Sequence, residues 1–301
     1  YIGSHMVLRL ADAGQAVVVL DNLTTGFDWA IDHRATFVEG NAGDMELVGK
    51  LIAAHGITEI VHFAGSIVVP ESVSDPLKYY ANNTATSRNL IEAAVKGGVK
   101  HFIFSSTAAV YGNAGLEPVA ETSQLMPESP YGRSKLMTEL MLADVAAAHP
   151  LTYGVLRYFN VAGADPRKRS GQSSPTATHL IKVASQAALG QRPSMGIFGT
   201  DFPTPDGTGV RDYIHVSDLV EAHALLLDYL RKGGASVTMN CGYGRGFSVR
   251  EEPRRAGDPA SIVARADKVR QVLGWKPAHE DLTEIVDAAL NWERYLATRN
   301  R

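Results

Sequence analysis

The sequence has very little cysteine and no marked excess of either charge. Among its 301 residues there is one cysteine, Cys241, which excludes an intramolecular disulfide framework and a cysteine-rich metal site. Basic residues number 29 and acidic residues 32, so the formal net charge is −3. This balance points neither to a nucleic-acid-binding surface nor to a disordered acidic tail.

Long hydrophobic runs are also missing. The longest aliphatic run, residues 16–20, is far too short to cross a bilayer, and the scattered histidines show no spacing typical of metal ligands. Hydrophobic residues make up 45% of the chain and charged residues 20%, as in ordinary globular proteins. We therefore expect a cytoplasmic enzyme with no metal, no membrane segment and no nucleic-acid partner.

Short β-branched runs alternate with helical patterns in the first half of the chain. Strands are predicted at residues 17–20, 36–39, 59–63, 101–104 and 153–158, and helices at 4–13, 44–54, 77–96 and 131–148. Continuous apolar strands separated by helices are typical of a parallel sheet covered on both faces. The sequence therefore predicts an α/β fold with a Rossmann-like, doubly wound parallel sheet.

The composition of the chain changes after about residue 165. Loops rich in Gly, Pro and Ser are predicted at 165–175 and 199–209, and helices at 177–189, 217–231 and 282–296. We predict a first domain over residues 1–165 and a smaller mixed α/β lobe over 166–301, from which strand and helix segments return to the first domain. In such sheets ligands bind beyond the carboxyl ends of the strands, so the residues there are the candidates for chemistry.

Asp21 directly follows the first predicted strand. In dinucleotide-binding folds an acid at this place accepts hydrogen bonds from the adenosine ribose, and its charge favours NAD over NADP. The alternative is an aspartate that only caps a turn. Residues 1–3 look like the end of a glycine-rich turn, so we expect the rest of that turn and the first strand to lie upstream, roughly ten residues in all. Residues 3–6 also resemble a cloning remnant.

Tyr131 and Lys135 lie four residues apart on a predicted helix and therefore share one face. A phenol is a poor base because its pKa is near 10. A nearby ammonium and a positively charged nicotinamide would stabilise the phenolate and lower that pKa. Thr107, just beyond a buried strand, can orient a substrate alcohol, and the trio suits hydride transfer at a secondary alcohol. A surface tyrosine beside a solvated lysine is the alternative.

At these residues the chain resembles the extended short-chain dehydrogenase/reductase family and, within it, the UDP-sugar 4-epimerases. The matching segments follow in order over nearly the whole chain: residues 1–5, 21–23, 62–65, 79–83, 105–112, 129–135, 157–163, 206–216 and 254–258. The resemblance implies that UDP-glucose and UDP-galactose are interconverted. NAD would oxidise the sugar transiently at C4, and the hydride would return to the opposite face.

The resemblance also implies roles for individual residues. Tyr131 would be the catalytic base, Lys135 would support it and hold the nicotinamide ribose, and Thr107 would contact the reacting hydroxyl. The NAD site would comprise these two helix residues together with Tyr1, Ile2, Gly3, Asp21, Asn22, Leu23, Thr24, Thr25, Gly26, Asn41, Ala42, Phe63, Ala64, Gly65, Asn83, Ser105 and Phe159. The UDP-sugar would contact Thr107, Tyr131, Asn160, His179, Leu180, Gly196, Ile197, Phe198, Arg211, Arg255 and Asp258. A homodimer would form through helices 77–96 and 131–148.

The sequence departs from the family pattern at several places. Asn41 replaces an aspartate that faces adenine, Ile67 replaces a lysine, and His179 replaces a substrate-contacting asparagine. Residues 248–251 run directly into 252–255, where the family has a helix and a strand between them, so we expect roughly twenty residues to be missing there.

Several alternatives remain open at this point. Another UDP-sugar, UDP-GlcNAc or UDP-xylose, could be the substrate. A nucleotide-sugar dehydratase would need an Asp-Glu pair after Thr107, where this chain has Ala108 and Ala109. A net oxidoreductase that releases NADH and a non-catalytic nucleotide-binding regulator are the other candidates.

Overall fold

The computed structural model describes residues 1–174, 177–196, 199–204, 206–248 and 260–299. The helices are α1 (Ile2–Asp12), α2 (Met45–His55), α3 (Val69–Ser74), α4 (Pro76–Tyr79), α5 (Thr86–Lys96), α6 (Pro130–Ala148), α7 (Leu180–Ala188), α8 (Val216–Arg231), α9 (Asp267–Leu273) and α10 (Leu282–Arg299). The strands are β1 (Val18–Asp21), β2 (Thr36–Glu39), β3 (Glu59–His62), β4 (His101–Ser105), β5 (Thr152–Tyr158), β6 (Asn160–Ala162), β7 (Val210–His215), β8 (Val237–Cys241), β9 (Gly246–Phe247) and β10 (Ser261–Ile262).

The central sheet is parallel throughout. Its strands follow the order β3-β4-β5-β8, and β1 and β2 form a second parallel pair. Within the described residues β1 pairs only with β2, and β3 only with β4, while residues of β1 and β3 line one continuous channel. One further strand between β1 and β3 would complete the strand order typical of dinucleotide-binding sheets. The strand expected upstream of Tyr1 stays a prediction.

Helices cover both faces of the central sheet, as the sequence predicts. Side chains alternate along a strand, so Ile103 of β4 faces one side and its neighbours Phe102 and Phe104 face the other. Ile103 packs in a cluster with Leu219 and Leu226 of α8. Phe102 and Phe104 pack with residues of α2, α5 and α6. This arrangement confirms the prediction of a doubly wound α/β fold.

A smaller sheet lies in the part of the molecule that is predicted to bind the substrate. β7 lies between β10 and β6, all parallel, and β9 pairs with β7 in the antiparallel direction. The two sheets share segments, because β6 follows β5 after a single residue and β8 returns to the central sheet. Asp212 of β7 is fully buried and accepts hydrogen bonds from the main-chain amides of residues 243, 244 and 264.

The predicted helix over residues 77–96 is present but irregular. Between α4 and α5 the chain makes a π-helical turn over Tyr80–Ala85. Such wide turns cost helix stability and often occur where a side chain is needed at a particular place. Here the turn carries Asn83, one of the predicted site residues. In the part of the chain that the structure describes, no helix is both long and apolar enough to cross a membrane.

Buried histidines should make the fold sensitive to acid. Burial lowers the pKa of His5, His215 and His223 to about 4 and that of His62 to about 3. In the unfolded chain these imidazoles take up protons near pH 6.5, so the free energy of unfolding should fall as the pH drops from about 6.5 towards 4. Asp212 has the opposite effect on the free energy of unfolding, because burial raises its pKa to about 6. We expect the four histidines together to outweigh this single carboxyl group.

Urea midpoints measured between pH 7 and pH 4.5 would check this expectation. His62→Asn should make the pH dependence shallower, whereas His149→Asn should leave it unchanged because His149 is exposed. A midpoint that stays constant down to pH 4.5 would contradict the argument.

Candidate active site

A large cleft runs along the carboxyl ends of the strands and separates them from the smaller sheet. Its volume is about 1950 Å³, which includes the channel between β1 and β3. The predicted site residues that line it are Tyr1, Ile2, Gly3, Asp21, Asn22, Thr24, Thr25, Gly26, Asn41, Ala42, Phe63, Ala64, Gly65, Thr107, Tyr131, Phe159, Asn160, His179, Leu180, Gly196 and Arg211. Leu23, Asn83, Ser105 and Lys135 do not line it. Ile197, Phe198, Arg255 and Asp258 lie outside the described residues.

The proposed base lies in the first turn of α6. Ser129 caps this helix by accepting a hydrogen bond from the Gly132 amide at 3.1 Å, and Pro130 occupies the first helical position. Tyr131 is therefore held at a rigid helix start, facing Thr107 at the end of β4. Burial raises the pKa of the Tyr131 phenol, and a hydrogen bond from Thr107 acts in the opposite direction.

Lys135 follows one helical turn later and is nearly inaccessible, at 3% exposure. Its Nζ donates a hydrogen bond to the Ser105 carbonyl at 3.0 Å and lies 4.8 Å from the centre of the Phe104 ring. Burial lowers its pKa to about 8, while the carboxylate of Glu139 acts to raise it. From the sequence we expect a lowered pKa for Tyr131 when a cationic nicotinamide is bound beside it. In the protein without the cofactor, burial dominates and the pKa of Tyr131 is raised.

The loop after β3 passes close to this ammonium. A Cβ atom added at Gly65 would lie 3.0 Å from Asn83 Oδ1 and 3.7 Å from Lys135 Nζ, so a side chain there would crowd both groups. Asn83 fixes the loop, because its Oδ1 accepts from the Ser66 amide at 2.7 Å and its Nδ2 donates to Ser134 Oγ at 3.0 Å. The polar atoms of Asn83 are thus engaged by the protein, and the residue lies behind the cleft.

The carboxylate of Asp21 lies in the part of the cleft that is predicted to bind the dinucleotide. Asp21 ends β1, and its Oδ1 accepts a hydrogen bond from the Leu23 amide at 2.8 Å. Leu23 adopts a left-handed conformation with φ of 56°, which turns the chain back so that Gly26 lies beside the carboxylate. Asn41 is expected to face adenine. Its amide oxygen already accepts a hydrogen bond from the Gly43 amide at 2.8 Å.

The N-terminus of α1 opens onto the same cleft. Backbone amides at a helix start bind anions well, so this end suits the pyrophosphate of a dinucleotide. Gly3 lies against the Phe63 ring, and the Tyr1 hydroxyl donates to the Gly163 carbonyl at 2.8 Å, which ties the helix start to the chain just after β6.

Asn160, His179, Leu180, Gly196 and Arg211 line the part of the cleft that is predicted to bind the UDP-sugar, which we call the substrate half. Asn160 Nδ2 lies 3.5 Å from the Asp212 carbonyl oxygen, and Arg211 Nη1 donates to the Val210 carbonyl at 2.9 Å. His179 stands at the start of α7, where its Nδ1 lies 2.8 Å from Nε2 of Gln172. Within the described residues no group of three potential ligands could hold a metal ion.

A buried network of polar side chains lies behind the end of β4. It was not predicted from the sequence. The Ser106 hydroxyl donates to Glu139, and Arg157 binds the same carboxylate with Nη2 at 2.6 Å and Nε at 3.1 Å. Arg157 Nη1 also donates to the Tyr111 hydroxyl at 3.0 Å. Glu139 lies eight residues after Tyr131 on the same helix face, and that spacing is the one signal that could have identified it.

Two cleft residues were also missed. Tyr158 ends β5, and its hydroxyl accepts a hydrogen bond from Ser105 Oγ at 3.0 Å. The rule that ligands bind at strand ends would have included it. Gln172 lies in a loop rich in Ser and Gly, and nothing in the sequence distinguishes it from its neighbours.

Comparison with known proteins agrees with this geometry. The model of the NAD dependent epimerase/dehydratase family matches residues 1–242. The chain belongs to this family. UDP-glucose 4-epimerase of Azospirillum brasilense is 53% identical over 98% of this chain and 90% of that protein, and that of Lacticaseibacillus casei is 44% identical over 97% and 93%. The solved structure of UDP-glucose 4-epimerase from Brucella ovis in complex with NAD has a TM-score of 0.92 at 39% identity and covers 97% of this chain and 94% of that one.

The family resemblance seen in the sequence is therefore confirmed. The alignment with the Azospirillum protein spans 313 positions, more than the 301 residues here, so that relative has residues without a counterpart in this chain. The segment expected to be missing between residues 251 and 252 lies outside the described residues and stays a prediction.

Removal of the Glu139 charge should cost much stability. Glu139→Gln would leave the buried guanidinium of Arg157 without its counter-ion, and breaking a buried pair in this way costs about 3–5 kcal/mol. Glu46→Gln is the matched control, because the Glu46–Lys50 pair is exposed and should contribute less than about 1 kcal/mol. Urea denaturation of both variants measures the difference, and equal losses would contradict the assignment.

Proposed function

We propose that this chain is an NAD-dependent UDP-glucose 4-epimerase, which interconverts UDP-glucose and UDP-galactose. The observation that carries the proposal is the convergence of Thr107 and Tyr131 in the cleft, with the ammonium of Lys135 buried directly behind them. The names of the relatives point to the same activity.

The residues of this chain fit the cofactor. Asp21 offers a carboxylate to the adenosine ribose, the start of α1 offers amides to the pyrophosphate, and Gly65 leaves room beside Lys135 for the nicotinamide ribose. When bound, NAD would supply the acceptor and then the donor of the hydride at C4 of the sugar. The absence of a side chain at Gly65 is the feature that this fit requires.

The side chains at the strand end move the proton. Tyr131, as the phenolate, removes the proton of the C4 hydroxyl, directly or through Thr107, and gives it back after the hydride has returned. Lys135 keeps a positive charge one helical turn away, which favours the phenolate. Inversion requires the sugar to turn over while the UDP half stays bound.

The substrate half of the cleft would hold the UDP-sugar. Asn160, His179, Leu180, Gly196 and Arg211 line it, and a guanidinium matches a diphosphate oxygen pair in geometry and charge. The contributions of Ile197, Phe198, Arg255 and Asp258 stay predictions, because these residues are outside the described part of the chain.

The alternatives are weakened by particular residues. A dehydratase needs acidic groups after Thr107, but Ala108 and Ala109 stand there. UDP-GlcNAc and UDP-xylose remain candidate substrates. The family resemblance places Ile262 where the size of the pocket decides whether an N-acetyl group fits. Ile262 pairs with Arg211 in the smaller sheet, is buried and lines the cleft. A cytoplasmic location is part of the proposal, in keeping with a buried, unpaired Cys241.

Tyr131→Phe tests the catalytic assignment. Loss of the phenolic oxygen should lower kcat roughly 10²-fold or more, because general base catalysis supplies that factor. The assay follows conversion of UDP-galactose without added NAD, together with the NAD content of the purified protein. Tyr229→Phe, in α8 and outside the cleft, should keep full activity. Unchanged turnover in Tyr131→Phe would refute the role, and net NADH accumulation by the wild type would favour a dehydrogenase.

We also propose that two copies pair through α4 and α6. Leu77 of α4 is 76% exposed, and Met137 and Leu140 of α6 are 41% and 57% exposed, so adjacent helices present apolar side chains to solvent. The helices are in contact, and Thr84 reaches Met137 across them. Exposed apolar groups on neighbouring helices are typical of protein–protein interfaces.

Light scattering coupled to gel filtration tests this pairing. Leu140→Glu should convert a dimer to a monomer by burying a charge in the interface. Met126→Glu, at an equally exposed position outside these helices, should leave the mass unchanged. A wild-type monomer, or a dimer indifferent to Leu140→Glu, would overturn the proposal.

A further inference from the structure

Gln172 and His179 lie together in the substrate half of the cleft. Gln172 Nε2 is 2.8 Å from Nδ1 of His179, and both residues line the cleft beside Asn160. Burial lowers the pKa of His179, so the ring is neutral at neutral pH. A neutral imidazole has one nitrogen that donates and one that accepts, and the partner of the first nitrogen decides the role of the second.

Gln172 is held firmly from outside the cleft. The main-chain carbonyl oxygen of Gln172 accepts a hydrogen bond from Lys182 Nζ at 2.7 Å. Lys182 in turn forms a buried ion pair with Glu293 of α10. The preceding Gly171 lies against the ring of Trp292, where an added Cβ would come within 2.3 Å of a ring atom. The backbone at Gln172 is therefore fixed by α7 and α10, and this sets the point from which its side chain reaches the His179 ring.

We propose that Gln172 is a positioning residue that fixes the tautomer and orientation of His179. The amide donates to Nδ1, which places the imidazole proton on Nε2 and makes His179 a hydrogen-bond donor to the ligand. Nucleotide sugars offer phosphate and hydroxyl oxygens, so a donor is the useful group at this place. The inference deepens the proposed function and rests on it, because it assumes that His179 contacts the UDP-sugar.

The tautomer itself gives the first test and does not depend on turnover. ¹⁵N-labelled histidine NMR of the wild type should show a neutral His179 with its proton on Nε2, and saturating UDP should perturb this signal. The His179→Asn variant identifies the resonance. A proton on Nδ1 would overturn the proposal. A protein that shows the expected tautomer and a response to UDP, but does not epimerise UDP-galactose, would instead refute the proposed function.

Kinetics of Gln172→Met give the second test. Loss of one neutral hydrogen bond that orients a binding group should raise KM for UDP-galactose about 2- to 10-fold and leave kcat nearly unchanged, because Tyr131 and Thr107 are untouched. In a His179→Ala background Gln172→Met should have no further effect on KM. An equal increase in both backgrounds would mean that Gln172 acts without His179. Gln271→Met, at an exposed position of α9 outside the cleft, is the matched control.

Gln172→Glu separates positioning from packing. A carboxylate only accepts hydrogen bonds, so it should move the proton to Nδ1 and raise the pKa of His179. KM should then rise with pH as the imidazolium loses the proton on Nε2, whereas the wild-type KM should stay flat because its ring remains neutral. A flat KM profile in Gln172→Glu, with the tautomer unchanged by NMR, would refute the inference.

Discussion

The hydrogen bond from the Lys135 ammonium to the Ser105 carbonyl joins the two elements on which the active site depends. It ties α6 to the end of β4, and so fixes the phenol of Tyr131 relative to Thr107. The ammonium is buried, and burial brings its pKa down to about 8. A charge can stay in such a place only where hydrogen bonds and neighbouring charge compensate its lost hydration.

This contact imposes tight packing on its surroundings. Gly132 allows α6 to approach the turn after β4, because an added Cβ there would lie 2.6 Å from the Ala109 carbonyl oxygen. Behind the strand end, the carboxylate of Glu139 holds Ser106 and Arg157 and also favours the charged form of Lys135. One face of α6 thus carries the proposed base Tyr131, the ammonium of Lys135 and the carboxylate that favours the charged form of Lys135, at intervals of four residues.

The sequence predicted the part of the site that depends on local pattern. Hydrophobic runs placed the strands, and the rule that ligands bind at strand ends then selected Asp21, Gly65 and Thr107. Tyr131 and Lys135 were selected by their helical spacing together with the strand end that carries Thr107, and their roles by the family resemblance. The π-helical turn that carries Asn83 was not predicted, because the partners of Asn83, Ser66 and Ser134, are 17 and 51 residues away in the chain and a local pattern does not reveal them.

The substrate half was harder to predict for a physical reason. Its short strands, β6 and β9, have three residues or fewer, so no periodicity identifies them. The position of Gln172 depends on Lys182 and Glu293, which lie far apart in the chain and meet only when α7 packs on α10. The proposed catalytic residues are positioned by one helix and one strand, whereas the proposed ligand-binding residues are positioned by contacts between distant segments. A substitution in α10 can therefore alter ligand binding without touching the cleft, and the sequence near the site gives no sign of it.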